Sequence, residues 1–102
     1  MKYKIKASLL FEDENFWIMN NEINDMTPSE IQDGIESCRI AMKGDEEELS
    51  WGLEVFELLI RKEISILEYH SSFVAEIPTK DILKMLLDYQ QALVYFENLN
   101  SK

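Results

Sequence analysis

The side chains that could do chemistry in this sequence are few and scattered. There is one histidine, His70, with Ser71 and Ser72 beside it, one cysteine, Cys38, and twenty acids, of which Asp45, Glu46, Glu47 and Glu48 are consecutive. A single imidazole removes every multi-histidine metal site and leaves only a lone base or pH-responsive group. Its place between β-forming runs reads as a hairpin turn or strand end. Ser71 and Ser72 cannot complete a Ser-His-Asp triad by adjacency, because such triads converge from separate segments around an oxyanion hole. Cys38 falls on the apolar stripe of a predicted helix, where a thiol behaves as a small buried hydrophobe rather than an accessible nucleophile. The four-acid run lacks the Asp-x-Asx-x-Asx-Gly spacing and distal glutamate of a calcium loop, and reads as a solvated acidic loop. Twenty carboxylates guarantee some close pairs, so a pair alone says nothing about general acid-base work. The three glycines sit in no phosphate-cradling pattern. The expectation is a protein with no catalytic residues, no cofactor and no metal.

The elements that position these residues follow from periodicity. Tyr3, Ile5, Ala7, Leu9 and Phe11 alternate with Lys2, Lys4, Lys6 and Ser8, which predicts an edge strand with lysines outward. A turn at Glu12, Asp13, Glu14 and Asn15 leads to a predicted second strand over residues 16–23. Thr27, Pro28 and Glu30 form a capping box with proline at the first helical position. Ile31, Ile35, Cys38 and Met42 follow as one helical stripe, and Gly44 stops it. Gly34, inside that helix, costs about 1 kcal/mol relative to alanine unless close packing requires it. Residues 49–78 hold most of the β-formers. Val55, Phe56, Leu58, Leu59 and Ile60 make a predicted central strand buried on both faces, residues 61–63 a turn, and Ile64, Ile66, Leu67 and Tyr69 its partner, with a third strand over residues 73–77. Thr79 is placed to cap a last helix whose stripe is Ile82, Leu86, Tyr89, Leu93 and Phe96. The order β-β-α-β-β-β-α predicts one domain spanning residues 1–102. Its expected fold is an α+β two-layer sandwich, an antiparallel sheet of about five strands with two helices on one face.

Composition bounds the partner. Ten basic residues against twenty acidic ones give a net charge of −10, spread along the whole chain. Nucleic acid and anionic lipid are poor partners for such a surface, and a cationic protein is favoured; the plainer reading is that the charge maintains solubility. A single cysteine forms no internal disulfide, which suits the cytoplasm. No apolar run approaches the roughly 18 residues of a membrane span. The open face of the sheet is expected to carry Glu54 or Glu57, Glu68 and Glu76, with Trp17 or Trp51 as an aromatic anchor, since tryptophan is enriched at interface centres.

Three segments carry a family resemblance: Trp51-Gly52-Leu53-Glu54-Val55-Phe56-Glu57-Leu58, then Glu63-Ile64-Ser65-Ile66-Leu67-Glu68, then Glu76-Ile77-Pro78-Thr79-Lys80-Asp81. In style the chain resembles the small bacterial immunity proteins of contact-dependent growth inhibition and other polymorphic toxin systems. The resemblance implies stoichiometric neutralisation of a cognate, basic, nuclease-type toxin, with no reaction performed. The contacts expected for that role are Glu12, Asp13, Glu14, Trp17, Asp45, Glu46, Glu47, Glu48, Trp51, Glu54, Glu57, Glu68 and Glu76. The alternatives are an acidic adaptor or regulatory subunit for another basic protein, and an enzyme whose carboxylates converge in a deep pocket. The sequence leaves the oligomeric state open.

Overall fold

The structure is a computed structural model that describes residues 1–6 and 8–100, with side chains to residue 97. It has an α+β architecture, and its larger sheet is a meander of four antiparallel strands in sequence order: β3 (Leu49–Gly52), β4 (Phe56–Ile60), β5 (Ile64–Tyr69) and β6 (Ser72–Pro78). A separate two-stranded hairpin, β1 (Tyr3–Ile5) and β2 (Leu9–Phe11), precedes it. The expected single sheet of about five strands is thus two sheets, of two strands and four.

The first correction concerns the lysine-bearing strand. Residues 3–11 form a hairpin in themselves, with Tyr3 opposite Phe11 and Ile5 opposite Leu9. The register pairs odd residues with odd ones, so the alternation of one long strand and of this hairpin is the same. Ala7 lies outside the described residues. The second correction concerns residues 16–23, where a 3-10 turn (Glu14–Phe16) runs into helix α1 (Trp17–Asn24) instead of a strand. Met19, Asn20 and Ile23, spaced as one helical face, are its buried residues. The free edge of β2 is still satisfied, by side chains. Asn24 Oδ1 accepts from Leu9 N at 2.8 Å and its Nδ2 donates to Leu9 O at 2.9 Å, while Asn20 Oδ1 accepts from Phe11 N at 3.0 Å. Two asparagines one turn apart do the work of the missing strand.

Helix α2 (Pro28–Lys43) begins at the expected capping box, where Thr27 Oγ1 accepts from Glu30 N and Glu30 Oε1 from Thr27 N, and ends at Gly44. Its buried side is Ile31, Gly34, Ile35, Cys38 and Ala41; Met42, expected on that stripe, is exposed, because the covered side runs along Gly34, Cys38 and Ala41 and so meets the last turn at Ala41. Gly34 is there for close packing. A Cβ at that position would lie 2.6 Å from Trp51 Cε2 and 2.9 Å from Leu86 Cδ1, so only glycine lets the helix rest on both. Helix α3 (Thr79–Asn100) packs on α2 and β6, burying Ile82, Met85, Leu86 and Tyr89. Thr79 does not cap it with its hydroxyl. That group is buried, bonds Ser65 Oγ at 2.6 Å and donates to Arg61 O at 2.5 Å, tying the helix start to the β4–β5 turn.

Both α2 and α3 cover one side of the four-stranded sheet, where Trp51, Phe56, Leu58, Ile60, Ser65, Leu67 and Ile77 are buried. Leu9, Phe11, Met19 and Ile23 of the hairpin and α1 join the same core. The other side of β4 is not buried. Glu57 is exposed and Leu59 half-buried, so the strand is central but covered on one face only, contrary to its nearly unbroken apolar sequence. No helix among the described residues is long and apolar enough to cross a membrane.

Candidate functional site

Strand alternation decides which side chains reach the uncovered side of the larger sheet. Leu58 faces Leu67 on the buried side, so Glu57 and its partner Glu68 emerge together on the open one, with Leu59 beside Ile66. The next ladder places Glu76 opposite Ile66 and Phe73 opposite Glu68, after a bulge between Leu67 and Glu68 restores the phase. The open face therefore carries Glu57, Glu68 and Glu76 among Leu59, Ile64, Ile66 and Phe73. Phe73 is 63% exposed and Ile64 42%. No lysine or arginine occurs in any of the four strands. Glu57 and Glu68 stand directly opposite each other, a like-charge pair that disfavours the sheet.

One end of this face is shaped into a recess of about 310 Å³ whose lining includes Glu54, Glu57, Glu68, His70 and Ser71. Its walls are fixed by hydrogen bonds. Both carboxylate oxygens of Glu22, on α1, accept from Val55 N and Phe56 N at 3.1 and 3.0 Å, and His70 N donates to Val55 O at 3.2 Å. Gly52 has φ +150°, and a Cβ there would lie 2.4 Å from Phe56 O, so the β3–β4 turn needs glycine. The β5–β6 connection is a two-residue turn in which His70 and Ser71 both take positive φ, 47° and 67°. That is the primed hairpin geometry, which asparagine-glycine pairs usually supply.

The remaining expected contact residues are dispersed. Glu12, Asp13 and Glu14 are exposed where β2 leads into the 3-10 turn, which Asp13 caps by accepting from Asn15 N with Oδ1. Trp17 is 51% exposed and keeps its Nε1 on Phe11 O at 3.0 Å. Asp45, Glu46, Glu47 and Glu48 are exposed after α2, at the end of β3 away from Glu57, and Glu48 is paired with Arg61 at 3.0 Å. Trp51 is a correction. It is 7% exposed, with Nε1 donating to Glu30 O at 2.9 Å and its ring against Phe56 and Gly34, so it is a core residue and not a surface anchor. Leu59, Ile64, Ile66 and Phe73, the apolar half of the face, were not among the expected contacts. The signal was present in β5, where apolar residues occupy both alternation sets except at Ser65 and Glu68.

Chemically, such a face can hold cations and apolar groups side by side. Cys38 offers no nucleophile: burial pushes its thiol up to about 12. Among the described residues no group of three or more histidine, cysteine or acidic side chains is placed to hold a metal ion. Comparison of the chain with protein-family models, with curated proteins and with solved structures found no match.

Proposed function

We propose that this protein is a non-catalytic, stoichiometric inhibitor of the immunity type, which binds a basic toxin domain through the open face of its four-stranded sheet. One observation carries the reading: Glu57, Glu68 and Glu76 stand among exposed apolar side chains on a face without a single lysine or arginine. Folding gains nothing from that arrangement, since two of the acids oppose each other across β4 and β5. A basic partner would neutralise them, and desolvated charge pairs of this kind couple favourably at interfaces. Leu59 and Ile66, paired at the middle of the face, supply the apolar centre that such interfaces place inside a polar rim, with Phe73 and Ile64 exposed towards its two ends.

Co-expression with the toxin domain encoded immediately upstream tests this. Expected are protection of the host cell and a 1:1 complex whose association slows steeply with salt. Replacing Glu57, Glu68 and Glu76 together by glutamine should weaken the complex by about a hundredfold or more. No protection and no complex, or a complex indifferent to the triple substitution, refutes the proposal.

A further inference from the structure

The acidic face has a counterpart of opposite sign on the same molecule. In the β1–β2 hairpin, Leu9 and Phe11 are buried, and the residues that alternate with them and with Tyr3 and Ile5 are Lys2, Lys4, Lys6 and Leu10. All four are exposed, and Leu10, directly opposite Lys4, is 52% exposed. Arg39, Arg61 and Lys84 pair with carboxylates of the chain; among the described residues no ion pair involves Lys2, Lys4 or Lys6, although the chain has twenty acids. Pleating spaces alternate residues of a strand about 7 Å apart. On the acidic face the step from Glu57 to Glu68 is one strand spacing, about 5 Å, and that from Glu68 to Glu76 a diagonal of about 8 Å. Each patch is thus a short row of one sign with an exposed apolar residue beside it.

We propose that a second copy of this chain occupies the acidic face: the lysine hairpin of one copy docks across β4, β5 and β6 of the next, with Leu10 against Phe73, the exposed apolar residue opposite Glu68. The inference rests on the docking role proposed above and adds a regulation to it, since a face covered by its own kind must be uncovered before the toxin can bind. Because two different patches meet, the contact is head-to-tail rather than two-fold. A foreign acidic protein would also suit the lysines, but the complementary surface already present is that of the chain itself.

Sedimentation velocity at about 0.15 M salt is the test, because a Debye length of about 8 Å screens the repulsion of two −10 molecules more than it weakens contact pairs. The unmodified protein should gain mass with concentration. A Lys2→Ser, Lys4→Ser, Lys6→Ser variant and a Glu57→Gln, Glu68→Gln, Glu76→Gln variant should each be monomeric alone. Their equimolar mixture retains one intact hairpin and one intact acidic face, and should give a 1:1 dimer and nothing larger. A protein that stays monomeric to roughly 1 mM, a mixture that stays monomeric, or self-association that survives either triple substitution overturns the proposal. The two readings separate cleanly. If self-association fails these tests while the glutamine variant still loses toxin binding, only the inference about the second copy falls. If the glutamine variant binds toxin normally, the docking face itself is wrong. The serine variant keeps the acidic face and should bind toxin at least as well as the unmodified protein.

Discussion

In the β1–β2 hairpin and in the β3–β6 sheet alike, alternation buries one side of the strands in a common core, yet the hairpin's outer side carries Lys2, Lys4 and Lys6 while the larger sheet's outer side carries Glu57, Glu68 and Glu76. The buried sides answer to the same demand, the removal of apolar area from water, and Leu9 and Phe11 differ little in kind from Leu58 and Leu67. No packing demand acts on the outer sides. A face of one sign is therefore a feature that folding leaves free, and on the larger sheet folding is slightly opposed to it.

The largest expected effect separates packing from docking on a single sheet. Leu67→Ala, at the fully buried centre of the inner side, should lower stability by about 2–5 kcal/mol, because the cavity cannot collapse between β4, β6 and the helices. Phe73→Ala, on the outer side, should change stability by no more than about 0.5 kcal/mol yet weaken the toxin complex about tenfold. Urea unfolding and titration calorimetry read the two quantities separately. Equal loss of stability in both variants would mean that the outer side is covered and that the division is false.

A middle-sized effect concerns how the hairpin is held. Tyr3 OH donates to Asp88 Oδ2 at 2.5 Å, and Lys84 Nζ donates to the same oxygen at 2.8 Å, linking β1 to α3. Tyr3→Phe should cost about 1 kcal/mol in urea unfolding at neutral pH. The Lys84 ammonium first, and then the Tyr3 hydroxyl, hold the Asp88 carboxyl below its ordinary value of 3.8. A carboxyl depressed on folding contributes stability that is complete above the ordinary value and is lost as the pH falls through the lower, folded one. The penalty of Tyr3→Phe should therefore be constant through neutral pH and shrink below 3.8. Burial first, and Asp88 second, raise the Tyr3 hydroxyl above 10.0, so the link should also survive mild alkali.

Where local chemistry leaves one solution, the sequence was legible: the capping box at Thr27 and Glu30, the stop at Gly44, and the turn between Ile60 and Ile64; of the open face it named Glu68 and Glu76 but left Glu54 and Glu57 as alternatives, because alternation alone does not say which side of β4 is covered. It was opaque where two structures share one pattern. Residues 3–11 alternate identically as one strand or as a hairpin that pairs odd residues with odd ones. Residues 17–24 have few charges, so the helical spacing of Met19 and Ile23 competed with a strand reading, and only the asparagine bonds to β2 settle it. Trp51 could not be placed because its burial depends on a glycine seventeen residues earlier and on another helix. The recess fails to show for the same reason: Glu22, His70 and Val55 meet only in the folded chain.

The smallest expected effect is the most discriminating. Glu57→Gln removes one of two opposed carboxylates while keeping the side chain's length and its place in the ladder, so it should raise stability by about 0.2–1 kcal/mol and at the same time weaken binding of the toxin domain. Lys4→Gln, the matching change on the hairpin, stands opposite Leu10, with its like charges Lys2 and Lys6 about 7 Å away along the strand and not directly across from it, so its stability should move less than that of Glu57→Gln and toxin binding should not fall. Opposite signs of the two effects at Glu57, in a residue whose mutation improves the fold, would mark a carboxylate kept for a partner. If Glu57→Gln lowers stability, the acids of the sheet serve the fold, and the contrast between the two outer faces loses its functional meaning.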